Sequence, residues 1–401
     1  MREDVKSNRG GLAAPELDEG GEKFFLNSFV YFAWFAVNLP RHAGEMCADK
    51  KLNMNDVFIL GAGFSKAISS EMPIVKGGEL SKEVLKAYKF RDSISVEIRR
   101  MIEENFENAL DFLASHKPWL SESENQRHRA IYLELTYVIR AVFWCKRKVW
   151  DSPPFWFEEL IAYWHNNRCA VISLNYDLLI ECLASTIYSH KQYAIPTADL
   201  YPIRFTQVTP TNGLNQAASH KIENPIETFR LFKLHGSINW FYSGRANFFG
   251  EELFCIPCSG EIDRFFDDAD KTDWRRLSGK CPLIVPPTSD KSGFFQHEAL
   301  RSMWFQAGEA IRRASRVICF GYSLPDSDLT MAQFLRSCAP PSRIGFEIVD
   351  LAERDKCESK IEHFTRIVGT GLYDFRQGYS GGCCILKFVK RELVTDPKDK
   401  R

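Results

Sequence analysis

Five short apolar runs in this chain each stop at a glycine or a polar residue. Asp56–Leu60 stops at Gly61, Cys169–Leu174 at Asn175, Leu231–Leu234 at His235, Arg316–Phe320 at Gly321, and Ile344–Val349 at Asp350. Runs this short lack the in–out alternation of a half-exposed strand and fit strands covered on both faces. Stretches of helical spacing separate them. The alternation predicts an α/β fold, a doubly wound parallel sheet with helices on both faces. Ligands of such sheets bind outside the carboxyl ends of the strands, near the point where strand order reverses. The five run-ends therefore predict one crevice.

Residues 64–165 carry helical spacing, with Phe106, Leu110 and Leu113 at i, i+4 and i+7. That is too long for a simple crossover and predicts an inserted helical layer. Further along, Pro282–Pro287 and Cys383–Val389 read as strands, and His297–Arg313 and Leu329–Cys338 as helices. Residues 195–228 and 241–280 look irregular, the latter with an acidic cluster at Asp267, Asp268 and Asp270.

Composition narrows the function classes. Lys plus Arg balances Asp plus Glu at 52 each, so no overall field draws in nucleic acid or an anionic membrane. The 12 cysteines are scattered through a long chain among apolar neighbours, which fits reduced core thiols and a cytoplasmic setting. Phe24–Leu39 has no charge but contains Asn27, Ser28 and Asn38 and is short for a membrane span, so a packed or interface helix is expected there. Met54, just before the first run, is a second candidate for the natural start.

Gly61-Ala62-Gly63-Phe64-Ser65 follows the first run, and a glycine turn opening a helix can cradle a phosphate on backbone N–H groups. Position 66 is Lys where the dehydrogenase fingerprint has its third glycine, and no acidic residue closes a second strand about 20 residues on. The turn favours a nucleotide but not an ordinary dehydrogenase; a plain tight connection would look the same. Asn175-Tyr176-Asp177 would serve equally as a helix cap. His235 in Leu234-His235-Gly236-Ser237 would serve equally as a buried core histidine, although its ordinary pKa suits it to take a proton near neutrality.

Taken in order, Gly61-Ala62-Gly63-Phe64-Ser65, Asn175-Tyr176-Asp177, His235-Gly236-Ser237, Gly321-Tyr322-Ser323 and a strand ending in Asp350 resemble the sirtuin superfamily. The resemblance leans toward the bacterial sirtuin-like NAD⁺ hydrolases of antiphage defence. It implies a Rossmann-like NAD-binding catalytic domain over 54–350, with a helical insertion at about 78–165 and a degenerate zinc-ribbon region at about 241–281. Residues 1–53 would be a partly disordered extension with an interface helix at 24–39, and 351–401 would complete the sheet and end in a short tail. Carried over, Gly61, Ala62, Gly63 and Ser65 would hold the pyrophosphate side of NAD⁺. Asn175 would orient the nicotinamide ribose and attacking water, Asp177 would lie beside the nicotinamide, and His235 would be the base. Gly321 and Ser323 would contact phosphate or ribose, and Asp350 the adenosine side.

The chain departs from the deacetylases in having Leu174 where they carry Gln, and Met72-Pro73-Ile74-Val75 in place of a Pro-Asp-Phe-Arg loop. The deacetylase ribbon uses two Cys pairs, whereas this interval holds Cys255, Cys258 and Cys281. A zinc site wants four ligands and would have to recruit another such as His297, so bound zinc is not expected. The resemblance implies cleavage of NAD⁺ as substrate to nicotinamide and ADP-ribose. An NAD-dependent protein deacylase or ADP-ribosyltransferase, or a non-catalytic NAD/ADP-ribose sensor, are the alternatives. Implied partners are further copies of the chain, and a ring-forming ATPase or a phage-derived activator.

Overall fold

The computed structural model describes residues 56–75, 77–86, 94–146, 153–190, 195, 197–203, 205–208, 217–218, 227–242, 253–256, 280–286, 295, 297–350, 357–380 and 384–390. The expectations for Phe24–Leu39, Met54, Cys258 and the acidic cluster at 267–270 fall outside them. The described residues all belong to one compact unit, Asn53–Arg401.

Strand β1 (Asp56–Leu60) leads into α1 (Ala62–Ile68). Among the described residues five helices follow: α2 (Glu79–Lys86), α3 (Val96–Glu104), α4 (Phe106–Ala114), α5 (Glu122–Lys146) and α6 (Phe155–Asn167). Then come β2 (Ala170–Ser173), α7 (Leu179–His190), α8 (Thr197–Leu200), β3 (Thr206–Val208), β4 (Ala217–Ala218) and β5 (Arg230–Lys233). Next are β6 (Gly236–Tyr242), β7 (Phe254–Cys255), β8 (Cys281–Ile284), α9 (Glu298–Arg312), β9 (Arg316–Phe320), α10 (Leu329–Ser337) and β10 (Ile344–Asp350). The last elements are α11 (Cys357–Val368), β11 (Tyr373–Ser380) and α12 (Cys384–Phe388).

Six strands form one sheet in the order β11-β10-β9-β1-β2-β5, and every neighbouring pair is parallel. Counted along the chain within this sheet, the order is 3-2-1-4-5-6, the doubly wound arrangement. The winding runs outward from β1 to β5, returns, and runs outward again from β9 to β11. The reversal thus lies between β1 and β9. Val57 to Leu60 are fully buried, as a central strand covered on both faces requires. The apolar faces meet in an aromatic cluster: Phe58 touches Trp164, Phe320 and Phe388, and Phe64 stacks on Phe320 at 6.0 Å. Each such ring contributes about 1.5–3 kcal/mol by burial.

Of two further strand expectations, one holds in a second sheet and one needs correction. Pro282–Pro287 overlaps β8, but β8 pairs antiparallel with β6 in a second sheet, ordered β4-β3-β7-β6-β8, and not with the parallel sheet. Cys383–Val389 is not a strand: Cys384–Phe388 is helix α12, and the sheet ends instead on β11. A short apolar run does not separate a buried helix from a buried strand by periodicity. Tyr373-Asp374-Phe375-Arg376 alternates apolar and charged residues, the pattern of an edge strand. Among the described residues no helix is long and apolar enough to cross a membrane.

Candidate active site

The parallel ladder continues one residue past the strands and fixes where the site residues begin. Gly61 N–H donates to Phe320 O at 2.9 Å, Leu174 N–H to Leu60 O at 3.0 Å, Leu234 N–H to Ser173 O at 3.1 Å, and Gly321 N–H to Val349 O at 3.1 Å. Above these ends lies a cavity of about 1630 Å³ at the strand-order reversal. Its wall includes Gly61, Ala62, Gly63 and Ser65 from the first turn, Asn175 and Asp177 from the second, and His235 from the third. Gly321 and Ser323 line it from the fourth strand end and Asp350 from the fifth, so all ten residues read from the sequence share one wall.

The glycine turn is built by close backbone packing. Gly63 N–H donates to Gly321 O at 2.9 Å, and a Cβ on Gly63 would lie 2.8 Å from that oxygen. Gly321 has φ +60, and a Cβ there would meet Phe64 N at 2.4 Å. A β-carbon on Gly61 would lie 2.6 Å from Tyr322 Cα. Two strand-end loops thus cross with nothing between them. The Gly61 and Gly63 N–H groups are already bonded within the protein, and the Ala62 N–H at the helix start has no hydrogen-bond partner among the described residues.

Asn175 reaches across from β2 to that turn. Its Nδ2 donates to Gly61 O and to Ser65 Oγ, both at 2.8 Å. Ser65 Oγ in turn donates to Asp177 Oδ2 at 2.6 Å, while Asp177 Oδ1 accepts from Leu179 N–H at 3.1 Å. Because a carbonyl only accepts, the amide orientation of Asn175 is fixed by chemistry: nitrogen toward Gly61 O, oxygen as the remaining polar atom. The helix-cap role is carried by Asp177. Ser65, which the resemblance gives to the pyrophosphate side, lines the cavity and joins Asn175 to Asp177 through its buried hydroxyl.

His235 lies where the two sheets join. Gly236 follows with φ +75, and a Cβ there would come within 2.0 Å of Leu283 O, so only glycine allows the chain to turn from β5 into β6. Val285 N–H clasps His235 O at 2.8 Å. The ring is buried, 6.4 Å from Trp304, whose indole donates to Leu234 O at 3.1 Å.

On the far side, Tyr322 donates to Asp328 Oδ2 at 2.8 Å; burial, then the Asp328 charge, push its phenol far up and keep it neutral. Glu107, at the start of α4, accepts from Ser327 Oγ at 3.1 Å and so joins the helical layer to the fourth strand end. Asp350 is ion-paired with Lys360 of α11. Lys66 donates to Glu79 at 2.7 Å, and this bond holds the Glu79 carboxyl below the usual carboxylate range; Glu79 also accepts from Ile74 N–H at 3.4 Å. Lys66 therefore ties down the Pro73–Val75 segment of the wall.

Sequence reading missed Lys233 and Glu181, a fully buried pair beneath the Asn175 loop, and Lys360. A lysine inside the apolar run Leu231–Leu234 was the available signal. Among the described residues no group of three or more His, Cys, Asp or Glu could hold a metal. Cys255 is buried and accepts from Asn239 at 3.3 Å, and His297 packs edge-on against Tyr242 at 4.6 Å.

Fold and crevice define a doubly wound α/β protein with its site at the switch point of the sheet. No protein-family model matches the chain, and no curated protein matches it. Among solved structures it is similar to a crystal structure of Sir2 in complex with the inhibitor EX-527, 2'-O-acetyl-ADP-ribose and a deacetylated p53 peptide. The identity is 15%, over 84% of this chain and 91% of that chain, with a TM-score of 0.33. A likeness of that degree carries no inference about activity, which rests on the residues themselves.

Proposed function

We propose that the chain is an NAD⁺ hydrolase that cleaves the nicotinamide–ribose bond. The observation that carries this reading is the convergence of Asn175, Asp177 and His235 with the crossed glycine loops on one switch-point cavity. Its volume of about 1630 Å³ leaves ample room for a dinucleotide. The C–N bond breaks with its electron pair passing to the nicotinamide nitrogen, which neutralises the pyridinium. A water oxygen bonds to the anomeric carbon and gives its proton to His235. The Asn175 amide oxygen, fixed as an acceptor, orients the O–H of that water or of the ribose. The products are nicotinamide, ADP-ribose and a proton.

Leu174 and Phe143 give the wall near Tyr176 an apolar lining, and the latter comes from the helical layer. That supports a hydrolase in preference to a deacylase, which needs access for a peptide. We assign the enzyme to antiphage defence as an NAD⁺-depleting effector, gated by assembly with further copies or by a ring-forming ATPase or phage component. Val96, Trp119 and Phe155 of the helical segment are 62–72% exposed, although nothing places them in one contiguous patch. A strict monomer in light scattering at micromolar concentration would count against assembly.

The test is nicotinamide release from NAD⁺, with and without an acetylated peptide, by an activated preparation. His235→Ala and Asn175→Ala should each fold and each lower release by at least about 10²-fold. Full turnover in either variant removes that residue from the mechanism, and peptide-dependent release would favour the deacylase.

A further inference from the structure

Lys233, near the carboxyl end of β5, has a side chain only 1% exposed. Its ammonium meets Glu181 Oε1 of α7 at 2.9 Å, and Glu181, equally buried, also accepts from Tyr201 OH at 2.8 Å. An ammonium has three donors. Beyond Glu181, Lys233 Nζ donates to Asp177 O and, at 3.4 Å, to Tyr176 O. Replacing such a buried pair by apolar side chains is often neutral or stabilising, so stability alone is a weak account of it. What this pair does that an apolar pair would not is grip two successive carbonyls of one loop. That loop, 174–178, carries the Asn175 amide and the Asp177 carboxylate. Ser65 holds the same two side chains from the cavity side, and Ile238 N–H donates to Tyr176 O at 3.1 Å from β6.

We infer that Lys233 is a positioning residue, acting through the carbonyls of Tyr176 and Asp177 to hold Asn175 and Asp177 in register with the glycine turn. Its effect on turnover rests on the NAD⁺-cleaving reading above; its effect on the loop does not. A misplacement of about 1 Å at a reacting centre costs on the order of 10²-fold in rate.

Lys233→Met alone would leave Glu181 as an unpaired buried charge and is expected to unfold. The informative variant is Lys233→Met with Glu181→Gln, which removes both charges and keeps an acceptor for Tyr201. Two measurements are made on the full chain: hydrogen exchange without ligand, and steady-state nicotinamide release. Exchange over 174–178 should rise at least about tenfold while β1, β2 and β9 stay protected as in the wild type. The kcat should fall roughly 10- to 100-fold with KM for NAD⁺ within about threefold. Unchanged exchange over 174–178, or an equal rise across all strands, overturns the inference, as does unchanged kcat. A wild type silent toward NAD⁺ even in the activated preparation would instead sink the functional reading, and the exchange result would still decide the role of Lys233.

Discussion

Gly63→Ala separates two explanations of the glycine turn. If the glycines exist so that a ligand phosphate can approach the backbone, the ligand-free protein should tolerate a methyl group at 63. The structure predicts otherwise. A Cβ on Gly63 would lie 2.8, 2.9 and 3.2 Å from three backbone atoms of Gly321, and backbone does not rotate aside. Relief requires the two loops to part by several tenths of an ångström, which stretches the 2.9 Å bond from Gly63 N–H to Gly321 O past useful length. Overpacking of this kind costs about 1–3 kcal/mol, and the lost bond about 1 more. Alanine returns about 0.5–1 kcal/mol because residue 63 lies in a helix. The net expectation is a loss of roughly 1–3 kcal/mol, read by urea unfolding of the ligand-free protein. Stability within about 0.5 kcal/mol of wild type, together with lost ADP-ribose binding, would refute the packing argument and return the turn to the ligand.

Ser65→Ala removes the bond to Asp177 and the acceptor for Asn175; at about 1.5–3 kcal/mol for a bond to a carboxylate, nicotinamide release should fall roughly 10- to 100-fold. Calorimetric ADP-ribose affinity should persist; loss of affinity with kcat intact would place Ser65 on the phosphates after all. His165 bonds Thr228 Oγ1 at 3.0 Å, and burial, then the Arg168 charge, lower its pKa, so folding favours the neutral ring. The stability it contributes is full above the unfolded value of about 6.5 and is lost as pH falls toward the lower folded value. His165→Gln should flatten that part of the acid unfolding profile, and an unaltered slope would contradict the assignment. Elemental analysis of the purified chain should give far less than one zinc per chain; a stoichiometric, tightly held zinc would revive the deacylase alternative.

The parallel sheet was legible because each of its central strands is an apolar run with a polar or glycine stop, and burial on both faces leaves no other use for such a sequence. The candidate residues were legible because they sit at those stops. Their partnerships were not. Nothing in Phe64-Ser65-Lys66 announces that the serine hydroxyl faces Asp177, 112 positions away, since that contact exists only once β1 and β2 are side by side. The second sheet was equally hidden: β7 and β4 span two residues each, too short to carry a period. The edge strand β11 was missed because its charged alternate residues read as surface, which is what they are.

Only Leu234 and His235 separate β5 from β6, and that brevity has a mechanical consequence. His235 belongs to the joint between two slabs, fastened to the smaller one through the Val285 clasp and to the larger through Leu234. Asn175 is bonded to the glycine turn of the larger slab, while its neighbour Tyr176 is tied to the smaller one by Ile238 N–H and Val285 O. Tilting one slab against the other would thus load both the imidazole and the loop that carries the amide. Whatever grips the outer face of the small sheet would have leverage over both side chains without coming near the cavity.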